Sequence, residues 1–92
     1  FSRLVMPSAE ELVEPPEKLR KIQVPTLILW GAMDRILPVK FARRLHQDIP
    51  NSNLEIVAKC GHFLQEEEPE LLVHHILDFL TATISTIDEI NR

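Results

Sequence analysis

At 92 residues, with 45% hydrophobic and 26% charged side chains, the chain has the composition of one small folded domain rather than of a disordered segment. A formal net charge of −4 offers no attraction for phosphate backbones or anionic lipid, which argues against nucleic-acid and membrane-surface partners. The longest apolar runs, such as Leu27 to Trp30 and Leu71 to Val73, fall far short of the roughly 18 residues of a membrane span. A single cysteine forms no internal disulfide, so the cytoplasm is the default location.

The sequence opens on Phe1 rather than a start methionine, so the expectation is a piece of something longer, and no signal peptide is visible. Residues 1–23 read as a lead-in, the end of a cap or a connecting helix, in which Pro7, Pro15 and Pro16 break short helical stretches such as Ser8 to Val13 and Glu17 to Ile22. Thr26 to Trp30, entered through Val24-Pro25 and closed by Gly31, is a continuous apolar run that suits a strand buried on both faces of a parallel sheet. Pro38 fits the first turn of a helix whose apolar positions Phe41, Ala42, Leu45 and Ile49 recur at helical spacing, while Arg43, Arg44, Gln47 and Asp48 face water. That helix stops at Pro50. After the turn residues Asn51, Ser52 and Asn53, Leu54 to Ala58 has strand character.

A last helix starts near Pro69, with Glu66, Glu67, Glu68 and Glu70 where the helix dipole favours negative charge. Its apolar stripe is Leu72, Ile76, Phe79 and Leu80, and residues 81–92 form a helix extension or a tail. The fold class is therefore α/β, a βαβα unit over residues 24–80 with a right-handed crossover. Two parallel strands leave two unpaired edges, so such a unit is normally the margin of a larger sheet and incomplete alone.

Functional sites of open α/β sheets lie outside the carboxyl ends of the strands. Asp34 stands four residues beyond Trp30 and His62 four beyond Ala58, on loops at the same end of neighbouring strands about 4.8 Å apart. A carboxylate bonded to one ring nitrogen fixes the histidine tautomer and stabilises the imidazolium formed when the other nitrogen takes a proton. Asp34 and His62 thus read as orienter and general base.

The run Val24-Pro25-Thr26-Leu27-Ile28-Leu29-Trp30-Gly31-Ala32-Met33-Asp34-Arg35-Ile36-Leu37-Pro38 resembles the α/β-hydrolase stretch in which the penultimate strand leads to the acid of the catalytic triad. Gly61-His62-Phe63, followed by Glu67 and Pro69, resembles the stretch around the triad histidine and the final helix. The order acid, then histidine, matches the family, in which the nucleophile comes first. No G-x-S-x-G occurs, and Ser2, Ser8, Ser52 and Ser85 all lack the nucleophile-elbow context. The resemblance implies a hydrolase of small organic substrates to which this chain supplies acid and base, without a cofactor, the remainder of the domain supplying the nucleophile and oxyanion hole. A serine nucleophile implies ester, amide or carbon–carbon bond hydrolysis, and an aspartate implies epoxide or carbon–halogen hydrolysis. Carbon–carbon bond hydrolases often carry tryptophan after the histidine, where this chain has Phe63. Two rivals stay open: a non-catalytic interaction protein of the same fold, and a fragment that needs a complementary chain.

Other residues have simpler readings. Cys60 precedes Gly61-His62 yet is expected to pack at the strand end. His74 and His75 lack the i,i+4 spacing of a helical metal pair, and no metal site is expected. Glu67 is explained by its place near a helix start. Met33, Ile36 and Phe63 flank the Asp34/His62 pair and could line a substrate pocket.

Overall fold

Three parallel strands, β1 (Arg3–Val5), β2 (Thr26–Gly31) and β3 (Ser52–Val57), form one sheet in the order β1-β2-β3 in the computed structural model, which describes residues 2–7 and 14–90. All six residues of the central strand are buried. That burial explains the unbroken apolar run: alternate side chains enter opposite faces, and each face is covered. Ile28 and Trp30 join Val5, Ala42, Leu45 and Ile49 on one side, and Leu27 and Leu29 join Val57, Cys60, Leu64 and Phe79 on the other. Thr26, the one polar member, donates its hydroxyl to the Val24 carbonyl at 3.0 Å.

Helix α1 (Pro16–Leu19) and helix α2 (Val39–Asp48) belong to the first face, to which they give Leu19, Ala42 and Leu45. Helix α3 (Leu64–Glu67) and helix α4 (Pro69–Ile90) cover the second through Leu64, Leu72, Ile76 and Phe79. Burying a leucine or isoleucine side chain contributes roughly 1.5–3 kcal/mol, so this two-sided core makes β2 and β3 a firm frame for the loops beyond them. The register pairs Thr26 with Ser52 and Gly31 with Val57. Both strands therefore end level, and their two exit loops begin side by side. No helix among the described residues is long and apolar enough to cross a membrane.

Several elements differ from the sequence-based expectation. The sheet has three strands, not two: β1 lies in the segment read as a lead-in and pairs with β2 from Arg3 opposite Thr26 to Val5 opposite Ile28. Its three residues carry no periodicity, since Val5 is buried while Leu4 is 44% exposed. It is recruited by an open edge, and the Arg3 N–H donates to the Pro25 carbonyl at 2.7 Å. The helical stretch suggested at Glu17 to Ile22 is the single turn α1, and the one suggested at Ser8 to Val13 lies outside the described residues.

Pro38 precedes α2 with an extended backbone (φ −59°, ψ 151°) rather than occupying its first turn. The third strand starts at Ser52, because pairing with β2 and not side-chain type sets its limit, and it ends at Val57. Helix α4 runs without a break through Thr81, Ala82 and Thr83 to Ile90. The Thr83 hydroxyl donates to the Phe79 carbonyl four residues back at 2.9 Å, a bond that lets a threonine sit inside a helix. Leu80 is 39% exposed and lies off the stripe that packs on the core, which is buried Phe79 with the partly buried Leu72 and Ile76.

Candidate active site at the strand ends

The loop after β2 and the loop after β3 are joined through their backbones. Ala32 N–H donates to the Val57 carbonyl at 3.0 Å, and Met33 N–H donates to the Cys60 carbonyl at 2.8 Å. Gly31 sits where the two loops touch: a methyl group there would lie 2.8 Å from the Cys60 carbonyl carbon and closer still to the carbonyl oxygens of Cys60 and Gly61. Only a residue without Cβ allows this approach. The turn into the second loop passes through Lys59, which has a left-handed backbone (φ 64°).

Asp34 and His62, 28 positions apart in sequence, are brought together by this junction, with Nδ1 of His62 2.9 Å from Oδ2 of Asp34. The other carboxylate oxygen, Oδ1, accepts from the backbone N–H groups of Ile36 at 2.9 Å and Leu37 at 2.8 Å. Asp34 therefore organises its own loop and does not cap α2, which starts only at Val39. Its side chain is fully buried while that of His62 is 22% exposed. Burying a carboxylate is tolerable when its oxygens are occupied by donors, as here. Because a carboxylate accepts, the Asp34 bond requires the proton on Nδ1 and leaves Nε2 of the neutral ring as an acceptor.

Sequence reasoning missed two supports. Trp30, wholly buried, donates its indole N–H to the Leu37 carbonyl at 2.7 Å and so ties down the far end of the Asp34 loop. Glu67 closes the last turn of α3, and its Oε2 accepts from Gly61 N–H at 2.8 Å. Neither bond has a periodic signature that a linear sequence would show.

Met33, Ile36 and Phe63, which flank the pair in sequence, are 59%, 66% and 51% exposed. The Phe63 ring meets the His62 ring edge-on, with centroids 5.0 Å apart. Cys60 is buried in the second core, and burial, followed by the negative charges of Glu68 and Glu67, pushes its thiol pKa up from 9.0. That disfavours the thiolate a cysteine nucleophile needs. His74 pairs with Asp78 at 3.2 Å on an exposed helix surface. Among the described residues, no group of three or more histidine, cysteine, aspartate or glutamate side chains could hold a metal ion.

Comparisons with known proteins agree with one another. Residues 6–69 match the family model described as the alpha/beta hydrolase fold. The chain is 48% identical over 65 residues to the uncharacterized hydrolase YugF of Bacillus subtilis (strain 168), covering 71% of this chain and 24% of that protein. It is 46% identical over 63 residues to 2-hydroxy-6-oxononadienedioate/2-hydroxy-6-oxononatrienedioate hydrolase 2 of Pseudomonas putida, covering 68% and 22%. Among solved structures, a serine hydrolase involved in carbazole degradation superposes with a TM-score of 0.72 at 38% identity, over 75% of this chain and 27% of that one. The chain thus spans about a quarter of the length of such relatives.

Proposed function

We propose, because this chain belongs to the α/β-hydrolase fold family, that it carries the general base and the orienting acid of a hydrolase whose nucleophile lies outside these 92 residues. The observation that carries this reading is the 2.9 Å bond between Asp34 Oδ2 and His62 Nδ1, made by a carboxylate whose other oxygen is already occupied by two loop amides. A carboxylate held on both oxygens cannot swing away from the ring. The imidazole is therefore kept in the tautomer that leaves Nε2 free to take a proton.

The nucleophile we favour is a serine, on the likeness to the carbazole-degradation serine hydrolase. His62 Nε2 takes the hydroxyl proton as the serine oxygen attacks a substrate carbonyl carbon, and Asp34 stabilises the resulting imidazolium. As the scissile bond breaks, the imidazolium gives that proton to the leaving group, and an acyl-enzyme remains. His62 then takes a proton from water, whose oxygen attacks the acyl carbon, and returns it to the serine oxygen as the acid product leaves. The substrate is a small organic carbonyl compound, and the exposed side chains of Met33, Ile36 and Phe63 supply an apolar rim beside the base.

The test uses the protein that carries this segment together with its upstream portion. His62→Ala should lower turnover by about 10⁴-fold while the melting temperature stays close to that of the parent. Full activity in the variant would refute the assignment. A residue other than serine, aspartate or cysteine at the upstream nucleophile elbow would instead favour a non-catalytic member of the fold.

A further inference from the structure

We infer that Glu67 is a positioning residue for His62: its carboxylate holds the Gly61 amide and so sets where the histidine backbone stands. This rests on the reading of His62 as the base. Oε2 of Glu67 accepts from Gly61 N–H at 2.8 Å. A Cβ built on Gly61 would find Glu67 Oε2 at 3.4 Å and Oε1 at 3.6 Å, so the carboxylate lies directly against this stretch of backbone. On the other side of His62, the Phe63 carbonyl accepts from the N–H groups of Glu66 at 3.1 Å and Glu67 at 3.0 Å. His62 is therefore the one residue between two anchors, and Glu67 contributes to both, by its side chain before the histidine and by its amide after it.

Glu67 carries a charge that favours the single turn of α3, yet a helix-start role alone does not account for its bond from Gly61 N–H. It closes the last turn of α3 and precedes the start of α4 by two residues. Glu66, Glu68 and Glu70 already supply negative charge around that helix start. A charge-assisted hydrogen bond to an amide is stronger than a neutral one, but this one faces water, so its value lies in geometry more than in stability. Displacing a base by a fraction of an ångström costs turnover while substrate binding is spared.

The experiment compares Glu67→Ala, Glu67→Gln and, as a charge control on the same turn, Glu66→Ala in the protein that carries the upstream portion. Glu67→Ala should lower kcat by roughly tenfold with KM within about twofold, because the loss is felt in the reacting geometry and not in binding. Glu67→Gln retains an oxygen that accepts from Gly61 N–H and should recover kcat to within about threefold of the parent. Glu66→Ala should match the parent. Independently of turnover, amide hydrogen exchange at Gly61 should speed up in Glu67→Ala and stay slow in Glu67→Gln.

A Glu67→Ala variant with unchanged kcat, or a Glu67→Gln variant as impaired as alanine, overturns the inference. So does unchanged Gly61 exchange. If the parent has no hydrolase activity, the assignment of His62 as base fails by itself, and the exchange measurement still decides whether Glu67 holds the loop. Should Glu67→Ala fail to fold, Glu67→Asp, which keeps the charge but draws the carboxylate back by one methylene group, should show the same loss of kcat and faster Gly61 exchange, and parent-like values in it would overturn the inference.

Discussion

The two loops that meet at the strand ends are held in different ways. The loop after β2 is braced from within: Asp34 takes two of its amides, the Trp30 indole takes the Leu37 carbonyl, and the acidic side chain is sealed from water. The loop after β3 is braced from outside, by the Met33 amide on the Cys60 carbonyl and by the Glu67 carboxylate on the Gly61 amide. Its histidine keeps a partly open ring. The difference matches the two roles proposed for them, since an orienter works by staying still and a base must meet a second molecule.

The largest effect should come from replacing the acid without disturbing its loop. In Asp34→Asn the amide oxygen can still accept from Ile36 and Leu37 N–H, but its NH₂ donates to Nδ1 and forces the proton onto Nε2. We expect kcat of the protein carrying this segment, on the proposed hydrolase reading, to fall by about 10⁴-fold, with stability changed by no more than about 1 kcal/mol. A fall in kcat of less than about tenfold would remove Asp34 from the catalytic assignment.

Next in size is Gly31→Ala, which attacks the junction rather than either loop. The added methyl meets backbone carbonyls of Cys60 and Gly61, which cannot rotate away as a flexible side chain would. A destabilisation of about 3 kcal/mol in chemical denaturation is expected, with both loops displaced together. A variant as stable as the parent would mean that the loops can separate without cost, and that their different bracing does not depend on the shared contact.

Much of this arrangement was legible in the sequence, for identifiable reasons. The buried strand Thr26 to Trp30 and the helix bearing Ala42, Leu45 and Ile49 announce themselves by apolar run and by helical period, and together they imply the parallel α/β class. The closeness of Asp34 and His62 followed from their placement on exit loops of neighbouring strands, although the strands end at Gly31 and Val57, so that the offsets are three and five rather than the four expected for each. Strand β1 was hidden because a three-residue edge strand with one buried side chain has no period to detect. The continuation of α4 beyond Leu80 was hidden because a threonine's bond to a carbonyl four residues back is invisible in a hydropathy pattern. Trp30 and Glu67 were read as core and helix-start residues, since their polar contacts join positions seven and six apart and exist only after the loops have closed.

Trp30→Phe sharpens the comparison on the acid side with a smaller effect. Phenylalanine keeps most of the buried ring but loses the donor to the Leu37 carbonyl. The expected cost is about 1–2 kcal/mol in urea denaturation, while kcat changes by less than about threefold because Oδ1 still holds the Ile36 and Leu37 amides. A loss of turnover as large as that of Asp34→Asn would show that the internal bracing is a single unit and not two independent ties.

The smallest effect is a pH dependence on the histidine side. Cys60 sits in the loop that carries His62, and burial together with the charges of Glu68 and Glu67 raises its thiol pKa in the folded protein above 9.0. A group whose pKa is raised by folding contributes stability that is complete below its unfolded value and fades as pH climbs from there through the folded value. Wild-type protein should therefore lose stability through this thiol as pH rises above about 8.5, a loss that Cys60→Ala cannot share. The alanine variant starts lower because of the cavity it leaves, so the gap in melting temperature between parent and variant should narrow over that rise. A constant gap from about pH 7 to about pH 10 would mean that the thiol ionises as readily folded as unfolded. The histidine loop would then be open enough at its base for water to reach Cys60, and the bracing supplied by Met33 and Glu67 would be looser than their hydrogen bonds imply.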